Sequence, residues 1–197
     1  MMCNREQKIT KEKQKFPAIF LDRDGTLIED VGYIKEPSAV SFFPNTFADL
    51  IRLQEHFMLF IITNQSGIGN NLLTEKEVKI VNSYIETEFK KQGITITATY
   101  YCPHTTEDNC FCKKPSPYFI NQAVHKYNID RKHSYIIGDH PSDSECGIRA
   151  GLTPIYVLTG HGNKHKNELT CEVAICESLS HATERILNNI YYDNKII

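Results

Sequence analysis

Apolar residues along this chain gather in short runs, and each run gives way to a polar stretch in which apolar positions return at helical spacing. The run ending at Leu21 predicts a first strand, MLFIIT at 58–63 a second and ITITATYY at 94–101 a third. SYIIG at 134–138, TPIYVL at 153–158 and EVAIC at 172–176 continue the series. Nearly continuous apolar strands of this kind are buried on both faces, as in parallel sheets. Helices are predicted between them over roughly 46–55, 75–91, 117–128, 143–150 and 179–190. The second opens on Thr74 and Glu77 as a capping box and then places Val78, Val81, Ile85 and Phe89 along one side. Ser116 followed by Pro117 marks the start of the third. Strand and helix in alternation predict an α/β fold, a doubly wound, Rossmann-like parallel sheet with right-handed crossovers and its active site at the carboxyl ends of the strands. The segments between strands are too short for a separate cap domain, which predicts an open cleft covered by loops.

The first strand runs directly into Asp22-Arg23-Asp24-Gly25-Thr26. Two carboxylates one residue apart repel each other unless a cation lies between them, and hard oxygen donors suit Mg2+, which in turn attracts phosphate. Phosphate chemistry is therefore the expectation. The second strand ends in Thr63-Asn64-Gln65-Ser66, where a hydroxyl and backbone N–H groups can hold phosphoryl oxygens. The GIG that follows is no dinucleotide fingerprint, because Leu72 stands where the last glycine is required. In CKKPSP, Lys114 precedes a helix and offers a point charge against a transferring phosphoryl group. The fourth strand ends in IIGDHPSD, where Asp139 would complete the Mg2+ shell with Asp22 and the backbone carbonyl of Asp24, and Asp143 reads as a helix cap.

Three of the seven cysteines crowd into residues 102–112. Cys102, His104, Cys110 and Cys112 offer three soft sulfurs and an imidazole, a set that suits tetrahedral Zn2+. Four protein ligands close such a site, so the zinc is expected to be structural, stiffening the loop that presents Lys114. His125, His133, His161 and His165 read as surface or packing residues.

With 197 residues the chain suits one domain over 16–197, after a mobile extension of mixed charge over 1–15. A net charge of -2 and 41% hydrophobic residues give no electrostatic bias toward nucleic acid. No apolar run approaches a membrane span and the N-terminus lacks a signal-peptide core, so a monomer in the cytoplasm, with neither nucleic acid nor membrane as partner, is the expectation.

The string IFLDRDGTL, together with TNQSGIG, CKKP and GD, resembles the motifs of the haloacid dehalogenase-like phosphatases, and the cysteine loop is similar to that of their capless, zinc-containing histidinol-phosphate and heptose-bisphosphate phosphatase group. The likeness spans about residues 18–162. It implies that Asp22 attacks phosphorus, Asp24 acts as acid and then base, and Thr63 and Lys114 bind the transferring group, with Mg2+ and Zn2+ as cofactors. TNQSGIG and Asp30-Val31-Gly32-Tyr33 lean toward the heptose-bisphosphate branch, in which that loop contacts the sugar phosphate; Asp30, Val31, Gly32, Tyr33, Asn64, Gln65 and Ser66 become candidate substrate contacts. Lys113 and His140 stand where that branch typically carries arginine and a fully charged side chain, so a second phosphate on the substrate is expected to be held less firmly. A small phosphorylated substrate is the implied partner. Histidinol phosphate, or another sugar or nucleotide phosphate, is the alternative substrate, and a zinc-stabilised binding module the alternative outside catalysis.

Overall fold

A computed structural model describes residues 14–193. Six strands, β1 (Ala18–Leu21), β2 (Met58–Asn64), β3 (Ile96–Cys102), β4 (Tyr135–Gly138), β5 (Thr153–Val157) and β6 (Ala174–Cys176), form one parallel sheet in the order β3-β2-β1-β4-β5-β6. Helices α1 (Thr46–Gln54), α2 (Glu75–Lys91) and α6 (Leu179–Asp193) cover one face; α3 (Tyr118–Tyr127) and α4 (Pro141–Ala150) cover the other. A one-turn helix, α5 (Gly162–His165), follows β5. The doubly wound sheet expected from the apolar runs is the fold observed.

All four residues of β1 are buried because successive side chains enter opposite cores. Ile19 and Leu21 pack with Leu50, Leu53, Val81, Ile85 and Ile186, whereas Ala18 and Phe20 pack with Phe60, Ile120 and Ala123. β1 is central, and the chain winds outward from it in one direction through β2 and β3 and in the other through β4 and β5. Such a reversal leaves a crevice at the carboxyl ends of the central strands. Leu21 is paired with Ile61 and with Ile137, so the residues that follow in β1, β2 and β4 emerge together at that crevice.

The capping box of α2 is present, Glu77 N–H donating to Thr74 Oγ1 and Thr74 N–H to Glu77 Oε2. Elsewhere helix starts shift. Ser116 is not a cap: its hydroxyl donates to the Phe111 carbonyl, and α3 begins at Tyr118 after Pro117. α4 begins two residues before the expected 143, at Pro141, with His140 as N-cap. β3 begins at Ile96 rather than 94, and its pairing with β2 shifts register between Leu59 and Phe60. The extension expected over 1–15 falls mostly on residues 1–13, outside the described residues; at its end the Gln14 carbonyl accepts from Asn128 Nδ2.

Candidate active site

Asp22 follows β1, buried, its N–H donating to the Ile137 carbonyl at 2.9 Å. Lys114 reaches it from the loop after β3. Lys114 is 4% exposed; its ammonium donates to the Ile62 carbonyl at 2.9 Å and pairs with the carboxylates of both Asp22 and Asp143. Burial opposes its charge, but Asp143 and Asp22 outweigh that and hold its pKa above the ordinary lysine value. Asp143 is thus more than the helix cap expected: one oxygen caps α4 through His140 N–H at 3.1 Å while the other faces Lys114.

Asp139, at the end of β4, completes a group of three buried carboxylates with Asp22 and Asp143. Burial, then Asp143, push Asp139 up to about 7. Burial also raises Asp22 well above the usual carboxylate range, aided by Asp143, Asp139 and Asp24 against the pull of Lys114. Three carboxylates face one ammonium, an excess of negative charge that a divalent cation would neutralise, and oxygen donors are those Mg2+ prefers. The residues therefore fit Mg2+. Two turns close around Asp139 because they are glycine: a Cβ on Gly25 would lie 2.1 Å from Asp139 Oδ2, and one on Gly160 2.3 Å from the same atom. Both have positive φ, which glycine adopts without strain.

The Asp24 carboxylate is not in this group. Arg23 draws it aside through bonds from Nε and NH2, and Gln65 Nε2 and Thr63 Oγ1 donate to its Oδ2 at 2.8 and 3.2 Å. Its carboxylate oxygens are thus committed to Arg23, Gln65 and Thr63.

The cysteine loop gathers as predicted. Cys102, Cys110 and Cys112 hold their sulfurs 3.3–3.7 Å apart, and His104 Nδ1 lies 3.6 Å from Cys102 Sγ and 3.3 Å from Cys112 Sγ. Zinc–sulfur bonds of about 2.3 Å in a tetrahedron put sulfurs about 3.8 Å apart, so the spacing fits Zn2+ to within about half an ångström.

The expected substrate contacts divide. Asp30, Gly32, Tyr33 and Ser66 line a cleft of about 900 Å³ above the carboxylates. Val31 does not: Asp30 Oδ1 accepts from Gly32 N–H at 2.8 Å, an Asx turn that leaves Val31 at its tip, 59% exposed. Asn64 and Gln65 border the cleft, but their side chains are committed to the protein. Asn64 clasps the Lys114 backbone from both sides, accepting its N–H at 3.0 Å and donating to its carbonyl at 3.3 Å. Gln65 donates to Asp24 and to Thr63. Lys113 lines the cleft with its ammonium donating to the His104 carbonyl at 3.3 Å. His140 also lines it, and burial pushes its pKa down; its Nδ1 accepts from Ser142 N–H, so it meets the cleft as a neutral imidazole.

The chain is similar to known proteins. A probable D-glycero-D-manno-heptose-1,7-bisphosphate 7-phosphatase of Thermoplasma volcanium is 38% identical over 136 residues, 68% of this chain and 93% of its own. The D-glycero-alpha-D-manno-heptose-1,7-bisphosphate 7-phosphatase of Photorhabdus laumondii is 31% identical over 80% of this chain and 91% of its own. The chain belongs to the haloacid dehalogenase-like phosphatases. The Hydrolase_like family model, HAD-hydrolase-like, matches residues 111–182. A crystal structure of D,D-heptose 1,7-bisphosphate phosphatase from B. bronchiseptica, complexed with magnesium and phosphate, superposes with a TM-score of 0.82 at 27% identity, over 88% of this chain and 99% of that one.

Within this haloacid dehalogenase-like site, three residues escaped the sequence reading. Arg23 lies between the two aspartates, where a turn residue is usually solvated, yet it is 2% exposed. Asn82 holds it from α2, and its place beside Val78, Val81 and Ile85 on the buried side of that helix was the available signal, a polar residue at a core position. His161, read as a surface residue, lines the cleft: its N–H donates to Asp139 Oδ2 at 2.7 Å, and its ring lies 3.8 Å from Asp30. Nothing in its local sequence marks that role, which the β5 crossover creates.

Proposed function

We propose that the protein is a Mg2+-dependent phosphomonoester hydrolase acting on D-glycero-D-manno-heptose 1,7-bisphosphate at the 7-phosphate. The observation that carries this reading is the pairing of buried Asp22 with Lys114 at the end of β1, one residue from a second carboxylate turned to the same cleft. The relatives of similar length named for that activity support the choice of substrate.

Asp22 attacks phosphorus, forming an aspartyl phosphate as the bond to the leaving alkoxide breaks, and Asp24 gives that oxygen a proton. Asp24 then takes a proton from water, whose oxygen attacks phosphorus and returns Asp22 as a carboxylate with release of phosphate. Lys114 and Thr63 bear on the phosphoryl oxygens. Bound by Asp22, Asp139 and the Asp24 carbonyl, Mg2+ would offset negative charge on the phosphoryl group. Zn2+ held by Cys102, His104, Cys110 and Cys112 would fix the loop carrying Lys113 and Lys114.

A monomer in the cytoplasm is part of the proposal; the six cysteines among the described residues are free, and no helix among those residues is long and apolar enough to cross a membrane. A second reading, a substrate with a less charged far end such as histidinol phosphate, is favoured by the neutral His140 and by the engagement of Lys113 with His104. Phosphate release with Mg2+, compared as kcat/KM across heptose 1,7-bisphosphate, histidinol phosphate and common sugar phosphates, decides between them. A preference of about a hundredfold, about 2.7 kcal/mol, for the bisphosphate is expected. A flat profile would transfer the assignment to the second reading, and no release from any of them would end both.

A further inference from the structure

We infer that Arg23, seated by Asn82, is a positioning residue that sets the orientation from which the Asp24 carboxylate passes its proton to the leaving oxygen. The inference rests on the reading of Asp24 as proton donor. A guanidinium buried this deeply persists only with its donors paired, because an unpaired buried charge costs several kcal/mol. Arg23 spends them on two partners. Nε reaches both Asp24 oxygens at 3.1 Å, NH2 reaches Oδ1 at 2.9 Å, and NH1 donates to Asn82 Oδ1 at 2.7 Å.

The guanidinium is a rigid planar fork, so holding it at NH1 fixes the plane in which it presents Nε and NH2. Asn82 supplies that hold from α2, 59 residues away, in a buried contact that keeps its geometry independent of the loops around the cleft. On the opposite side Gln65 and Thr63 grip Oδ2. The carboxylate is thus held between β2 and a helix-anchored arginine, and a small error in its direction would cost proton transfer far more than phosphate binding. Charge balance alone would not require Asn82 or a bidentate contact; a lysine would neutralise Asp24 as well.

The leaving group separates the two roles. An alkyl ester such as the 7-phosphate needs a proton as it departs, whereas p-nitrophenolate leaves without one. For Arg23→Met, kcat/KM on heptose 1,7-bisphosphate is expected to fall about a hundredfold and on p-nitrophenyl phosphate by less than about threefold, with Asn82→Ala showing the same split at about tenfold and Arg23→Lys recovering part of the loss. Zinc content and circular dichroism check that each variant is folded, and Asn82→Ala carries the test if Arg23→Met is not. Equal losses on both substrates, or no loss on either, would overturn the inference. Asp24→Asn serves as the reference: if it shows no such split, the proton-donor reading fails and the Arg23 role with it; if it alone shows the split, only the Arg23 role fails.

Discussion

The carboxylate cluster and the thiol cluster are both suited to a metal, and they are assembled in opposite ways. The thiols come from one stretch of eleven residues whose own spacing brings Cys102, His104, Cys110 and Cys112 within bonding range of a common point. The carboxylates come from two strand ends and a helix, and a lysine from a fourth segment reaches into them. A local cluster can form as soon as its loop closes around the ion; the dispersed one exists only once the sheet is in register. The thiol cluster should therefore govern stability and the carboxylate cluster chemistry, with Asn64 as the join between them, since it holds the backbone of Lys114 two residues beyond Cys112.

That division can be broken at several points. Asp22→Asn keeps nearly the same shape but removes the nucleophile, so turnover should fall by at least about a thousandfold while zinc content and melting temperature stay near those of the parent. Single-turnover phosphate release and metal analysis on the same preparation check this, and lost zinc would mean the two clusters are not separable. Cys110→Ser should do the reverse, losing zinc and about 3 kcal/mol of stability, a fall in Tm of roughly 10 °C. A zinc-free variant as stable as the parent would show that the thiols contribute no folding energy. Asn64→Ala should lie between the two. Losing both backbone contacts to Lys114 removes about 2 kcal/mol from transition-state binding, roughly thirtyfold in kcat/KM, with zinc retained.

The smallest expected effect concerns pH. Asp139, pushed up to about 7, keeps its proton in the folded metal-free protein over a range in which the unfolded chain, near 4, has already released it. The folded state then binds more protons, so stability without metal should fall as pH rises from about 4 to about 7. Mg2+ requires the carboxylate ionised, so its stabilising effect should grow over the same range. Melting temperatures with Mg2+ and with a chelator at pH 5 and 7.5 should diverge by a few degrees more at the higher pH, and Asp139→Asn should abolish the divergence. An unchanged gap in the variant would place the ion elsewhere.

Much of this molecule is legible one residue at a time. Buried strands show as unbroken apolar runs because both faces of the sheet are covered, and α2 shows its cap because Thr74 and Glu77 act on each other within one turn. Asp22, Asp24, Thr63, Lys114 and Asp139 could be picked out as residues that meet at one cleft because a strand end, or a loop beside one, carries its residue types with it. The four zinc-type ligands were legible for a simpler reason: their partners are neighbours in sequence. What side chains do with distant partners was not legible. Asn64 and Gln65, expected as substrate contacts, border the cleft and also hold Lys114 and Asp24. Asp143 looked like a cap and also faces a lysine 29 positions earlier. Arg23, to which the sequence assigned no role, is buried against α2. Sequence alone determined the elements, their order and the chemistry offered at each strand end, since these depend on local periodicity and residue type. Tertiary structure decided which of those groups pair, which are buried and which face the cleft, because hydrogen bonds and ion pairs across 29 to 59 residues depend on the crossover connections, and no short-range pattern encodes them.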